Sequence, residues 1–421
     1  MNSETIIPYN LNLFEDIDCG PLKTFENLLD QLPCQKLIHT LNDERGHGRN
    51  DWPNEAMFRC WIAMFFLGHK GPVSLIAELE RNPFLRRACH IQPLFNCPDG
   101  SKSLTPSEAA FTRFQARLMN HQSLLDELFS QLTEDLKNRL FDFGESLALD
   151  GKIIEGYAQR PSKKEKRDGR RDLDANYTKK TYTSITQEGK LTTKSYSYYG
   201  YRVHLIADTH YELPVLFQVT KAANGEKTVA KEMIRDMPKW LVHRCDHLSA
   251  DRGYDGGKLR KIIERKEIYP IIDIVNHWKG ETTRQYKDTD FVYTYDGKVY
   301  YVTSKGKLIR AQYRGYHQAS DALRYETHPK SGAGIHRVYI PREEDPRVFN
   351  IIGRDSHKFQ RYYNERTSVE RVNGRIDRDY LFEDHRIRGL DKMKLHVTTT
   401  FIVMLGKKKV ALQQKDKEKA A

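Results

Sequence analysis

Three carboxylates in this chain sit in contexts that suit shared chemistry. Asp150 closes the apolar run Leu147-Ala148-Leu149, and Asp251 closes Leu248-Ser249-Ala250. Glu370 lies in Tyr363-Asn364-Glu365-Arg366-Thr367-Ser368-Val369-Glu370, a segment of helical character. Acidic side chains brought to one point repel each other unless divalent cations neutralise them, and hard carboxylate oxygens suit Mg²⁺ or Mn²⁺. Two such ions can clamp the attacking and leaving oxygens of a phosphodiester. In a chain of formal net charge +12, the combination points to metal-dependent nucleic-acid chemistry. The expectation is that Asp150, Asp251 and Glu370 converge on one pocket.

Cations accompany the acids. At about 100° per residue, Tyr363, Arg366, Glu370 and Asp377 fall on one helical stripe. Arg366 can then hold a phosphate while Glu370 holds a metal. Lys152 and Arg252 lie beside the two aspartates, and the loop after the first carries Arg160, Lys163, Lys164, Lys166, Arg167, Arg170 and Arg171. Together with Tyr363 and Arg366 these are the candidate DNA contacts, of the kind that positions a duplex without reading its sequence. Glu365 and Asp255 are rival carboxylates. Glu365 points about 140° away from Glu370 around a helix, and Asp255 is placed to cap the helix that follows it. His204, His243 and His247 share no metal spacing, and His204 reads as a surface position or one just behind the site. No Gly-rich nucleotide-binding motif is present, so no nucleotide cofactor is expected.

These residues need elements to position them. Residues 1 to about 140 read as helical, with apolar segments over Pro53–Leu67 and Val73–Leu79. Thr105-Pro106-Ser107-Glu108 reads as a capping box that opens a helix through Met119. Basic faces on these helices suit a helix-turn-helix unit reading DNA; an all-helical packing domain is the plainer alternative. From about 143 the pattern changes to strands. Phe143–Leu149, Tyr198–Ala207 and Leu213–Val219 are followed by a helix over Glu226–Trp240, a strand at His247–Ala250, a helix over Asp255–Lys266 and a strand at Ile268–Ile274. That is the order of a ribonuclease-H-like α/β domain. Phe291–Tyr295 and Val299–Val302 flank the turn Asp296-Gly297-Lys298, a hairpin signal. It predicts a β-rich insertion at about 275–350, opened by Trp278. The catalytic order resumes with a helix over about Ser356–Asp379 and a last apolar helix, Lys392–Leu405, before a polar tail, 406–421, expected to be frayed or disordered.

Taken together, the three acidic motifs resemble those of DDE transposases from bacterial insertion sequences. Tyr363, Arg366 and Glu370 match the spacing of that family's Tyr-Arg-Glu-Lys signature, while Leu149-Asp150-Gly151-Lys152 and Ala250-Asp251-Arg252-Gly253-Tyr254-Asp255 are similar to the surroundings of its two aspartates. Pro106–Phe114 is similar to part of the helical N-terminal domain common in these enzymes. The resemblance spans roughly residues 50 to 405. It departs from the signature at position 377, where the family's Lys is replaced by Asp377, leaving Arg375 or Arg378 for that role.

The resemblance implies two Mg²⁺ (or Mn²⁺) ions held by Asp150, Asp251 and Glu370. It implies nicking at element ends and transfer of the 3′-OH into target DNA, with a homodimer joining the ends. Some members stack a flipped base on an insertion-domain tryptophan, which makes Trp278 a candidate beside its commoner fate in a core. Two alternatives stand open: a metal-dependent nuclease of the same fold without strand transfer, and an inactive DNA-binding derivative.

The remaining composition fits this picture. Hydrophobic residues make up 38% and charged residues 30%, as in a soluble globular protein. The longest apolar run, Cys60–Leu67, is too short to span a bilayer. The first residues do not read as a signal peptide. The six cysteines match no zinc pattern, the insertion has none and so is expected to hold no zinc site, and a reducing cytoplasm, on the nucleoid, is the expected setting.

Overall fold

The computed structural model describes residues 20–45, 52–92, 103–158, 172–185, 190–332 and 334–420. The basic loop Arg160–Arg171 lies outside the described residues. The chain divides into two compact units: residues 1–132 with 402–421, and residues 133–401.

The first unit is helical: α1 (Pro21–Gln31), α2 (Gln35–Asp43), α3 (Asn54–Phe66), α4 (Pro72–Arg81), α5 (Pro83–Ala88), α6 (Glu108–Asn120) and most of α7 (Gln122–Arg139). Proline at the first turn starts α1, α4 and α5, where its missing N–H costs nothing. Asn82 ends α4 and caps α5, its side chain accepting from Leu85 N–H at 3.0 Å. α3 is apolar all round, and Phe58, Trp61, Ile62 and Ala63 are buried at the centre of the unit. α6 begins later than the capping-box reading gives. Ser107, not Thr105, is its cap: its backbone is extended and its side chain accepts from Ala110 N–H, while Thr105 is buried.

The second unit holds both sheets. The first contains β1 (Ser146–Glu155), β2 (Asn176–Ile185), β3 (Leu191–Asp208), β4 (Leu213–Lys221), β5 (His247–Ala250) and β6 (Tyr269–Ile272), in the order β2-β3-β1-β5-β6 with β4 also on β3. The β1–β3, β2–β3 and β3–β4 pairs are antiparallel, while β5 runs parallel to β1 and β6 parallel to β5. α8 (Glu226–Arg235), α9 (Lys239–Arg244) and α10 (Gly257–Glu264) lie between these strands in sequence. The single helix expected over Glu226–Trp240 is broken before Pro238, which cannot continue it and starts α9 instead. β3 is longer than its apolar core suggests, because its polar first half pairs with β2, a strand the composition did not reveal.

The insertion is a second sheet of six strands, β7 (Arg284–Gln285), β8 (Phe291–Tyr293), β9 (Val299–Val302), β10 (Leu308–His317), β11 (Ala322–Thr327) and β12 (Arg337–Pro341), each paired with the next. Phe291, Tyr293, Val299, Leu323, Tyr325, Ile340 and Phe349 form its core. Gly297, at φ 85°, makes the tight β8–β9 turn that other residues resist.

Three helices follow: α11 (His357–Asn364), α12 (Thr367–Arg378) and α13 (Leu390–Ala420). The helix expected over Ser356–Asp379 is therefore two, joined at Glu365-Arg366. The tail expected to fray is instead the end of α13. Within the first unit Lys409 Nζ reaches the Gln31 carbonyl at 3.2 Å and Gln413 receives a bond from Gln31, so a sequence rich in helix formers is also tied down. No described helix is long and apolar enough to cross a membrane.

Candidate active site

Asp150 and Asp251 meet because of strand register. β1 and β5 are parallel, with Leu149 opposite Ala250. The next position on each chain is an aspartate, and neighbouring strands lie about 4.8 Å apart. β5 ends at Ala250, so Asp150 borders the gap it leaves while β1 continues to Glu155 against β3. Asp150 is thus inside its strand and not at its end, as the apolar run alone suggested. Asp251 turns the chain out of the sheet by capping a 3₁₀ turn, Arg252–Tyr254, where it accepts from Gly253 N–H at 2.8 Å. Burial pushes the Asp150 carboxyl above its ordinary range; a bond from the Gly151 backbone opposes this, and the charge of Asp251 adds to it.

α12 docks on the Asp150 face through two polar pairs. Asn373 Nδ2 donates to Asp150 Oδ2 at 2.8 Å, and Lys152 Nζ donates to Asp377 Oδ2 at 2.5 Å. Alternate strand residues share a face and lie about 6.7 Å apart. Helix residues four apart advance about 6 Å, so the two repeats match. Asn373 was missed in the sequence; its only signal is its place one turn beyond Glu370 on the same helix.

Glu370 is turned to Arg366, whose Nη1 donates to Glu370 Oε1 at 2.7 Å, and the Glu370 side chain is 53% exposed. Burial works against the Arg366 charge, but the bond to Glu370 outweighs it, with Tyr363 and Asp251 contributing, so the guanidinium is held above its ordinary value. Arg366 also stands within electrostatic reach of Asp150. Among the described residues, no three His, Cys, Asp or Glu side chains are arranged to hold a metal ion. Arg366 Nε and Asn373 Oδ1 are buried and have no hydrogen-bond partner among them.

The family model described as "Transposase DDE domain" matches residues 144–405, more than half of the chain. The chain belongs to the DDE transposase domain family. The family implies an enzyme that cleaves or transfers DNA strands. No curated protein matches the chain. A solved structure, that of a piggyBac transposase synaptic complex with hairpin DNA, is similar over 94% of this chain and 75% of its own at 10% identity, with a TM-score of 0.40.

Within this DDE domain the other expected contacts are placed as follows. Arg252 is exposed and leans toward Asp273 at 3.4 Å. Tyr363 is half-buried against Phe359, with the Arg366 guanidinium over its ring. Lys152 is only 13% exposed and commits its charge to Asp377, so the residue standing where the family's Lys stands is its partner. Arg375 donates to the Glu212 carbonyl, and Arg378 pairs with Asp379. Asp255 does not cap α10. It is buried between Arg260 at 3.2 Å and Arg347 at 2.5 Å and accepts from Val275 N–H, which ties the insertion's two ends to α10. His204 is fully buried, not at the surface. Its strand is covered on both faces, and burial drives its pKa down to about 4. Trp278 packs against the insertion core with Arg284 4.3 Å above its ring.

Two clusters flank the site that sequence reading did not find. Behind Asp150, a Cβ on Gly151 would come within 2.9 Å of Glu226 Oε1 and 3.2 Å of the Tyr254 hydroxyl, so a larger residue there would have to displace the Glu226 side chain. Glu226 pairs with Arg202 at 3.0 Å. At the other end of β1, Glu365 Oε2 accepts from Ser146 Oγ at 2.5 Å and meets His247 Nε2 at 2.9 Å. His247 Nδ1 meets Asp246 at 3.0 Å, and its ring stacks on Tyr362 at 3.7 Å.

Proposed function

We propose that this chain is a DNA transposase of the bacterial insertion-sequence branch, with Asp150, Asp251 and Glu370 as its catalytic carboxylates. The parallel register that sets Asp150 beside Asp251 carries the reading. The strand order, four strands joined antiparallel and then two parallel ones, supports a ribonuclease-H-like catalytic domain interrupted by the β-rich insertion.

The donor set fits Mg²⁺ or Mn²⁺. Asp150 and Asp251 offer only hard oxygens, the charge of Asp251 helps to raise the Asp150 carboxyl, and Asn373 leaves a buried oxygen unpartnered beside them. These two residues with Glu370 would hold two such ions, which when bound polarise the phosphodiester and activate water or a 3′-OH. The chain's own residues do the rest. Gly253 N–H orients Asp251, and Asn373 orients Asp150. Arg366 holds Glu370 until a DNA phosphate, an equally good bidentate acceptor, takes the guanidinium. Glu370 is then free to turn toward the aspartates. The basic loop from Arg160 to Arg171 and Arg252 neutralise further phosphates. The reaction is nicking at element ends and transfer of the 3′-OH to target DNA, by a homodimer that joins two ends.

The test uses the full chain, Mg²⁺ and a plasmid carrying the DNA that flanks the gene. Asp150→Asn and Asp251→Asn should each lower nicking by at least about 100-fold while gel-shift affinity changes less than about twofold. Retained nicking in either variant contradicts the assignment. Wild-type protein should join pre-cut 3′-OH ends to a target; cleavage without joining marks a nuclease instead.

A further inference from the structure

The outer face of the insertion sheet carries charge that the fold does not use. Leu323 and Tyr325 of β11 and Val338 and Ile340 of β12 belong to the insertion core. Their alternates, Arg324, Glu326, Arg337 and Tyr339, face the other way. Strand register sets Arg324 opposite Tyr339 and Glu326 opposite Arg337. On its other side β11 meets a bulge in β10. The register shifts between Tyr313 and Gly315, so Arg314 is the extra residue and Gly315 pairs with Arg324. Bulges of this kind re-aim a side chain. Gly315 takes φ 132°, a conformation that strains other residues, yet a Cβ there would meet nothing within 4 Å. Glycine at this position therefore serves the bulge and not packing. What the bulge presents is Arg314, exposed, beside Arg324. Arg324 Nη2 donates to the Arg314 carbonyl at 3.4 Å, a neutral oxygen. Neither guanidinium has a carboxylate partner among the described residues. The acids nearby are committed elsewhere: Glu326 accepts from Arg337 Nε at 3.1 Å, and Asp321, just before β11, pairs with Arg342 at 3.3 Å. From Leu308 to Pro341 every residue except Ala333 is described.

Two unpaired guanidinium groups set side by side repel each other, and nothing in the sheet offsets that cost. A chain of regularly spaced phosphates does, because each guanidinium finds an anion whose geometry it matches. Tyr339, 41% exposed beside Arg324, adds a flat ring of the kind that packs on a nucleotide. We infer that this outer face holds the DNA backbone, with Arg314 and Arg324 each on a phosphate and the Tyr339 ring against an adjoining nucleotide. The surface is distinct from Trp278, which packs on the insertion core. The inference rests on DNA as the substrate in the proposed function and adds to it a contact surface formed by the insertion alone.

The probe is a fluorescein-labelled double-stranded oligonucleotide of mixed sequence, with full-length protein and anisotropy measured at several salt concentrations. Arg314→Ala should reduce the slope of log K against log salt by about 0.9, the loss of one phosphate contact, and the double variant with Arg324→Ala by about 1.8. Arg314→Lys should keep the slope. Tyr339→Ala should weaken binding by about fivefold or more at every salt concentration and leave the slope unchanged, since stacking releases no counterions. Parallel salt lines for wild type and Arg314→Ala overturn the inference. So does a loss of slope in Arg314→Lys equal to that in Arg314→Ala, which marks a structural effect, or full affinity in Tyr339→Ala. Wild-type protein that binds no DNA would sink the proposed function itself, whereas DNA binding with parallel lines sinks only this surface. None of these readouts depends on cleavage, so retained nicking in Asp150→Asn leaves the inference standing.

Discussion

Arg366 decides what Glu370 is free to do. Their pair is half-exposed on the carboxylate side, and such pairs contribute only about 0.2–1 kcal/mol. A DNA phosphate can therefore displace Glu370 at little cost. Lys152 and Asp377 differ in kind: both are largely buried, and neither is available to DNA without undocking α12. This predicts separable effects. Glu370→Gln keeps shape and removes charge, so cleavage should drop by orders of magnitude while gel-shift affinity stays within about twofold. Arg366→Gln would also remove the proposed phosphate contact, so affinity should weaken several-fold along with cleavage. Equal affinity losses in the two variants would contradict this division of roles. Asn373→Ala should resemble Glu370→Gln, because the Asn373 amide donates to Asp150.

At the scale of elements, the junction of α11 and α12 fixes where Arg366 and Glu370 point. Its backbone tightens, with Arg366 N–H bonded to the Tyr363 carbonyl and Ser368 N–H to the Glu365 carbonyl. Glu365 anchors the junction to the starts of β1 and β5 through Ser146 and His247. Glu365→Ala should therefore destabilise the chain by about 1–3 kcal/mol, since it takes one partner from the buried His247 imidazole and from the half-buried Ser146 hydroxyl. It should also speed amide exchange over residues 357–378 and lower cleavage without changing DNA affinity; unaltered exchange there would remove Glu365 from this role. No sequence signal marked the junction. Asn364-Glu365-Arg366 carries neither Pro nor Gly, and the 3.6-residue periodicity runs through it. The short apolar runs before Asp150 and Asp251 marked β1 and β5, and the β8–β9 hairpin was legible because Asp-Gly demands a tight turn. β2 was not legible, since its polar residues earn their place only by pairing with β3. Asn373 and Glu226 were not legible because their roles come from what they face across the fold.

At the scale of the whole molecule, two buried groups on one strand give stability a compensated pH dependence. His204 titrates near 4 against an ordinary 6.5 because burial disfavours its charge. Its contribution is complete above about pH 6.5 and is lost as pH falls toward 4, an effect of about 3 kcal/mol. Asp208 runs the other way. Burial, only partly offset by bonds from Gly144 and Tyr211 N–H, raises its carboxyl from 3.8 to about 6. Its contribution is complete below about pH 3.8 and is lost as pH rises through 6, again by about 3 kcal/mol. Between about pH 4 and 6 the two slopes oppose each other, so these groups leave the wild type nearly flat there. Asp208→Asn keeps one acceptor for the two N–H groups and removes the titration, so its melting temperature should fall progressively with acid relative to wild type. His204→Gln keeps a partner for Thr220 Oγ1, which lies 3.0 Å from Nε2, and should show the reverse, a melting temperature that rises relative to wild type as pH falls. Thermal melts of the three full-length proteins across about pH 4 to 7 test this. Parallel profiles would mean that neither group carries the dependence.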